Sequence, residues 1–371
     1  MPDYVTYDVT LSLLTPMHIG NGRELLNEYD YAIHKGKTWR INEDALLDEQ
    51  DVDDPRLAEQ LARTKPKDLL NPGDFRADSG LFRYVLEGTP RSEAEGAVLR
   101  EQIKTPFNKP YLPGSSLKGA LRTALAWYAW KASGMRPEVR DLGRSAKWAA
   151  QEYEHQLFGQ NPNHDLLRVL HVGDSDPLEP ARLMIVNARV LNRAGGLGSP
   201  IELEALKPDT PISLKIKLDR VLFSDWARHG GLDLQGSGAL GRLAQVVQAH
   251  SAEQIRREVA WFEKIPGATR VLQFYQQLAQ ARLGSTRCLV RLGWGTGWEG
   301  KTFGSRLQED PQFMERIIQD FRLARGRRQP GDPFPKSRRV AVAFARAQNG
   351  QVTETAATPF GWALMEMNER Q

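Results

Sequence analysis

Between Tyr4 and Leu14 the chain alternates strictly. Val5, Tyr7, Val9, Leu11 and Leu13 fall on one side, and Thr6, Asp8, Thr10 and Ser12 on the other. Period two predicts a strand with one buried and one wet face. Thr15-Pro16 ends it, and Met17-His18-Ile19-Gly20-Asn21-Gly22 is a loop punctuated by glycine. Tyr29–His34 and Thr38–Ile41 predict a short hairpin around Lys35-Gly36-Lys37. The stretch of about 43–110 is polar, broken by Pro and Gly and partly helical, and reads as an insertion.

The period then changes. Leu117, Ala120, Leu121, Ala124, Leu125 and Tyr128 recur at helical spacing, which predicts a helix from about Ser116 to Ser133 with one apolar face. A second helix is expected over Ser145–Phe158, inside a helical insertion at about 140–175. Arg182–Asn192 and Pro211–Leu222 alternate again and are expected to pair across the glycine-rich tip at 193–200. Gly238–Arg282 reads as one or two helices broken near Pro266-Gly267, and Arg287–Leu292 as a last short strand. The order is strand, helix, strand, strand, helix, strand. That is the βαββαβ arrangement of an α+β, ferredoxin-like fold, shared by RNA-recognition modules. It assigns residues 1–304 to an RRM-like core with long insertions. Residues 305–371 form an α/β extension packed on it: a helix over Pro311–Arg325, then a hairpin of Arg339–Arg346 and Gln351–Thr355 turning at Asn349-Gly350.

Composition narrows the class. With 40% hydrophobic and 26% charged residues over 371 positions, the chain is ordinary for a globular protein with a sizeable core. A net charge of +4 does not by itself mark a nucleic-acid binder, but arginine and lysine crowd the stretch from Arg322 to Arg346. The single cysteine, Cys288, excludes an internal disulfide and a cysteine-based zinc cluster. The N-terminus lacks the pattern of a signal peptide, and no apolar run is long enough to cross a bilayer, so a cytoplasmic chain without a membrane partner is expected.

Three stretches offer chemistry. In Tyr111-Leu-Pro-Gly-Ser-Ser-Leu-Lys-Gly-Ala-Leu-Arg122 a Pro-Gly turn leads to Ser115 and Ser116, either of which can cap a helix. Lys118 and Arg122, four residues apart, then project from one face beside free N–H groups, an arrangement that suits a phosphate. Gly119 between them permits close approach of another backbone. The same composition also describes an ordinary solvated helix, and it is not a Walker loop, because Lys118 precedes Gly119. The loop of Gly293, Trp294, Gly295, Gly297, Trp298, Gly300, Lys301, Phe303 and Gly304 exposes backbone N–H groups; Trp294, Trp298 and Phe303 could stack on bases, with charge from Arg291 and Lys301, or they could pack inward. Phe334-Pro-Lys-Ser-Arg-Arg339 supplies Lys336, Arg338 and Arg339 as possible phosphate ligands or as a solvated charge run. Catalytic candidates are thin. His18 in its loop could serve as a general base and Asp30 could act on RNA; His171-Val-Gly-Asp-Ser-Asp176 could hold a metal but suits turn and cap roles as well. Neither a metal site nor a cofactor is expected.

Leu14-Thr-Pro-Met-His-Ile-Gly-Asn-Gly22, Leu112-Pro-Gly-Ser-Ser-Leu-Lys-Gly-Ala-Leu-Arg-Thr-Ala-Leu125, Gly173-Asp-Ser-Asp176 and the Gly-rich loop resemble, in order and spacing, the RAMP superfamily of CRISPR effector proteins. Within it, the length, Gly293-Trp-Gly-Thr-Gly-Trp298 and Phe334-Pro-Lys-Ser-Arg-Arg339 resemble the type III-A (Csm) subunits that cap the 3′ end of the guide RNA. The resemblance implies a modified RRM-like core at one end of a ribonucleoprotein. It implies a structural role in crRNA binding, crRNA maturation and antiviral interference. Its partners would be crRNA, backbone RAMP subunits, target RNA in the assembled complex and recruited host nucleases. The resemblance implies contact through the two Gly-containing loops and the helix beginning at Ser116; with the charges read above, the expected RNA contacts are His18, Gly20, Gly22, Ser115, Ser116, Lys118, Gly119 and Arg122, then Arg291, Gly293, Trp294, Gly295, Gly297, Trp298 and Lys301, with Lys336, Arg338 and Arg339. The chain is expected not to be an enzyme. Backbone subunits of such complexes cut target RNA with an aspartate near this point, but Glu28-Tyr-Asp-Tyr31 departs from their Gly-rich pattern. An endoribonuclease using Asp30 or His18 on crRNA precursor or target RNA is the alternative.

Overall fold

The structure, a computed structural model, describes residues 4–50, 59, 61, 63–324, 328, 329, 331–346 and 352–370. Their mixed α+β fold is built on two curled sheets. The strands are β1 (Tyr4–Leu13), β2 (Gly20–Leu26), β3 (Tyr31–His34), β4 (Lys37–Ile41), β5 (Phe82–Glu87), β6 (Val98–Gln102), β7 (Leu170–Val172), β8 (Leu183–Asn192), β9 (Leu197–Leu206), β10 (Pro211–Asp219), β11 (Arg287–Arg291), β12 (Ser337–Arg346), β13 (Val352–Thr358) and β14 (Trp362–Glu369). Among the described residues five helices have eight residues or more: α1 (Gly114–Ala132), α2 (Gln151–Phe158), α3 (Leu243–Phe262), α4 (Thr269–Ala279) and α5 (Pro311–Asp320).

The first sheet has the order β11-β14-β1-β10-β7. Strand β1 sits at its centre, antiparallel to both β10 (Val9 opposite Leu214) and β14 (Val9 opposite Met367). The alternation of β1 and β10 is realised as expected. Val9, Leu11, Leu13, Ile212 and Ile216 are buried, while Asp8, Thr10, Ser12, Lys215 and Lys217 are exposed on the other face. Helices α1 and α3 cover the buried face. Leu117, Leu121 and Leu125 of α1 are at most 1% exposed, and burying each stabilises by roughly 1.5–3 kcal/mol. The second sheet runs β2-β6-β9-β8-β5-β4-β3, with β12 on β8 and β13 on β12.

Several expectations are corrected. Arg182–Asn192 does not pair with Pro211–Leu222. Strand β8 belongs to the second sheet, where it pairs with β9 (Val186 opposite Leu203) and β12. Of the expected 193–200 tip only 193–196 turn from β8 into β9; Leu197–Pro200 already belong to β9. The stretch of about 43–110 is less an insertion than a source of strands, because β5 and β6 join the second sheet. The helix expected from Ser145 starts at Gln151, and the 140–175 segment also supplies β7 to the first sheet. Arg287–Leu292 forms a strand, β11, but not the last one: three follow it, and the final strand, β14, lies between it and β1. The 305–371 segment therefore completes the core sheet rather than merely packing on it. The 35–37 hairpin forms, with Lys35 and Gly36 both at positive φ. Strands β12 and β13 pair, while the expected turn at Asn349-Gly350 lies outside the described residues. Among the described residues no helix is long and apolar enough to cross a membrane.

Candidate nucleic-acid interface

A cleft of about 630 Å³ opens where the loop after β1, strand β6, the first turns of α1 and the Gly-rich loop after β11 meet. It gathers His18, Gly20, Gly22, Ser115, Ser116, Gly119, Arg291, Gly293, Trp294 and Lys301, residues singled out from three separate stretches of sequence. Main-chain bonds join the stretches: Trp294 N–H donates to the His18 carbonyl (2.8 Å), and Ile103 N–H to the Ile19 carbonyl (2.8 Å). Gly293 has φ +85°, and a Cβ there would lie 2.7 Å from the His18 carbonyl oxygen, so only glycine lets the two loops close. Gly119 is different. It has no atom within 4 Å of a would-be Cβ and faces open space in the cleft.

The helix start is held differently from the expectation. Neither Ser115 nor Ser116 caps α1. Pro113 occupies the cap position, and the Asp174 carboxylate accepts the Gly114 N–H at 2.7 Å. Ser175 and Leu112 exchange two further bonds at 2.9 Å. A Cβ on Gly114 would lie 2.3 Å from the Val172 carbonyl oxygen. The Leu-Pro-Gly-Ser-Ser and Gly-Asp-Ser-Asp motifs are thus two halves of one clamp, and a protein carboxylate takes the place foreseen for an anion. Ser115 remains exposed beside it.

Charge separates the cations into two sets. Arg122 does not line the cleft; its guanidinium donates to Asp165 (2.8 Å) and Glu154 (2.9 Å) and lies over the Phe158 ring. Lys118 is also absent from the cleft lining. Burial lowers its pKa against the pull of Asp165, and Arg122 lowers it further. Arg291 borders the cleft but is buried on Glu258 (3.1 Å), which also binds Arg338 (2.8 Å). Burial pushes the Glu258 carboxyl up, and the two guanidinium groups outweigh it and hold it below the usual range. Lys336 is paired with Asp332. By contrast, Arg100 and Lys301 line the cleft with no ion-pair partner among the described residues. Desolvation and the nearby Arg339 lower the Lys301 pKa. Glu101, also in the lining, is held by Asn21 (2.7 Å) and Lys104 (3.4 Å), and Glu24 is exposed. Arg100, which sequence reasoning missed, is half-buried in β6 within the supposed insertion, where nothing in the sequence distinguished it from other arginines.

The aromatic side chains are less free than the sequence suggested. The Trp294 ring is half-buried, with the Arg100 and Arg339 guanidinium groups over it at 5.9 and 5.0 Å. Trp298 packs against Phe334 and flush on Gly304, and Phe303 is buried in a stack with Trp130. Gly295, Gly297, Trp298, Lys336, Arg338 and Arg339 line a second groove of about 330 Å³, which shares Thr296 with the cleft.

His18 is 2% exposed, and its Nδ1 faces the Glu204 carbonyl at 2.7 Å. A carbonyl only accepts, so Nδ1 carries the proton. Burial takes the ring down to about 4. It is neutral near pH 7 and a weak proton acceptor, suited to fixing the loop. Asp30 lies outside the cleft lining, where its carboxylate accepts from Arg23 (2.9 Å) and Leu26 N–H (2.8 Å) and sits 3.4 Å from Arg40.

The sequence profile of the RAMP superfamily matches residues 10–299. The chain is 28% identical over 243 residues to the CRISPR system Cms protein Csm5 of Streptococcus thermophilus, covering 58% of this chain and 64% of that protein. It is 28% identical over 220 residues to the Mycobacterium tuberculosis Csm5, covering 54% and 51%. The match thus spans between half and two thirds of the length of these relatives. Among solved structures, a chain of a Csm–crRNA–target RNA ternary complex of a type III-A CRISPR-Cas system superposes with a TM-score of 0.70 at 23% identity, covering 97% of this chain and all of that one. The crystal structure of T. onnurineus Csm5 gives 0.64 at 23%, covering 95% and 99%. With a profile matched across most of its length and a fold shared end to end with these structures, the chain belongs to the RAMP superfamily.

Proposed function

We propose that this protein is a crRNA-binding structural subunit of a type III-A CRISPR ribonucleoprotein, with its cleft holding the sugar–phosphate chain at the 3′ end of the guide. The observation that carries the reading is the cleft itself. Three glycine-containing segments converge on it, and two cations, Arg100 and Lys301, stand there without a carboxylate partner among the described residues. Exposed backbone plus unneutralised cations suits phosphate contact with little base readout. The names of the Csm5 relatives and of the Csm–crRNA–target RNA complex support the same assignment. Assembly with backbone RAMP subunits, proximity to target RNA, a role in crRNA maturation with host nucleases, and residence in the cytoplasm belong to this proposal.

The core is inferred to be ferredoxin-like. Taken as β1, α1, β7, β10, α3 and β14, it reads βαββαβ, and the sheet order β14-β1-β10-β7 is the 4-1-3-2 order of that fold, antiparallel throughout. The strand closing the core is then β14, with β11 added outside it.

We also propose that the chain is not the nuclease. The neutral, buried His18 and the tied Asp30 support this. Purified chain incubated with precursor and target RNA, with and without Mg²⁺, is expected to leave both intact. Cleavage lost in Asp30→Asn or His18→Gln would establish the endoribonuclease instead. Binding itself is tested by Arg100→Gln with Lys301→Gln, which is expected to weaken RNA binding.

A further inference from the structure

Next to the cleft lies a cavity of about 400 Å³ with largely apolar walls, among them Tyr153, Phe158, Phe303, Leu307 and Phe321. Gly119, Thr123 and Lys301 line both the cleft and this cavity, so the two meet at those residues. Gly119 is the opening. It lies on an ordinary helical turn, nothing sits within 4 Å of its would-be Cβ, and any larger side chain would project into the passage. Lys301 places a cation at the same junction. Inside, most polar atoms of the walls are already used; Lys147, in the lining, lies over the Trp148 ring at 4.7 Å. The Tyr153 hydroxyl donates to the Glu138 carbonyl (2.6 Å) and accepts from its N–H (2.8 Å). Thr302 Oγ1 donates to the Trp298 carbonyl (2.8 Å), and Arg122 is bound to Asp165 and Glu154.

We propose that this cavity receives one unstacked nucleobase of the RNA whose backbone occupies the adjoining cleft. The proposal rests on the RNA-binding reading above and adds a base site to it. An apolar chamber of this volume is in the range of small-ligand sites. A cation at its mouth selects an apolar, planar group tethered to an anion, which describes a base on its phosphate. An apolar side chain of a protein partner would bring no such charge. Because the walls offer few free donors or acceptors, the site reads stacking and shape, and base identity changes binding little.

The test uses the full-length chain with oligouridine RNA carrying 4-thiouridine, comparing wild type with Gly119→Phe and Gly119→Leu. Both substitutions replace glycine inside a helix, so folding is retained or improved, and thermal unfolding checks this. In wild type, photo-adducts are expected on peptides holding Tyr153, Phe303 or Phe321. In the variants these adducts fall at least tenfold and affinity drops about tenfold, as for loss of one stacked base. Unchanged adducts and affinity in both variants would overturn the base site while leaving the RNA-binding reading intact. No RNA binding by wild type would overturn both. A variant that binds and crosslinks like wild type but no longer associates with neighbouring subunits would assign the cavity to a protein side chain and refute the proposal.

Discussion

Replacing Arg100 and Lys301 together by glutamine removes the two cleft cations that have no ion-pair partner among the described residues. If each neutralises one phosphate of single-stranded RNA, each contributes about 0.7 to the slope of log affinity against log salt, about 1.4 for the pair. Between 50 and 200 mM salt, roughly the range over which such effects are read, the native chain would then lose about sevenfold more affinity than the variant. Fluorescence anisotropy with labelled oligouridine across that range measures both slopes. The control is Arg122→Gln. Arg122 is already neutralised by Glu154 and Asp165, so its loss should cost stability and leave the slope unchanged. Equal slopes for native chain and double variant, or a slope that falls only with Arg122→Gln, would refute the division of cations drawn here.

Gly114→Ala, which sets a Cβ 2.3 Å from the Val172 carbonyl oxygen, should destabilise by about 1–3 kcal/mol, whereas Gly119→Ala, in open space on the same helix, should stabilise by up to about 1 kcal/mol; thermal unfolding separates them. Glu258→Gln leaves the buried Arg291 and Arg338 without their shared carboxylate and should cost about 3–5 kcal/mol in urea unfolding. Burial holds His18 and His250 at about 4, so in mild acid the unfolded chain binds protons that the native chain does not. Stability should therefore be full above the ordinary histidine pKa of 6.5 and fall between there and pH 4, by roughly 3 kcal/mol per histidine, and His250→Gln should flatten that fall.

The alternation of β1 and β10 and the apolar stripe of α1 were readable because each is set by local period and burial. The meeting of the three glycine-containing segments was foreshadowed by residue type: Gly293 is required where its loop touches His18, whereas Gly119 is not required by its backbone but leaves the cleft open. What stayed hidden is non-local. Nothing in Trp362–Glu369 announces that it lies between β1 and β11, since any strand with a matching apolar face competes for that edge. The transfer of β8 to the second sheet has the same cause. The charges were misread for a related reason. Arg122 and Arg338 look like phosphate ligands in sequence, yet carboxylates 43 and 80 positions away, Asp165 and Glu258, reach them in the fold. Arg100 gave the opposite error, an undistinguished residue that the fold leaves uncompensated in the cleft.

Cryo-electron microscopy of the assembled particle addresses the central claim most directly. The account predicts guide RNA threading the cleft, with phosphates against Gly20–Gly22, the Ser115–Gly119 turn, Arg100 and Lys301. RNA density running wholly elsewhere, with this cleft filled by protein, would contradict it.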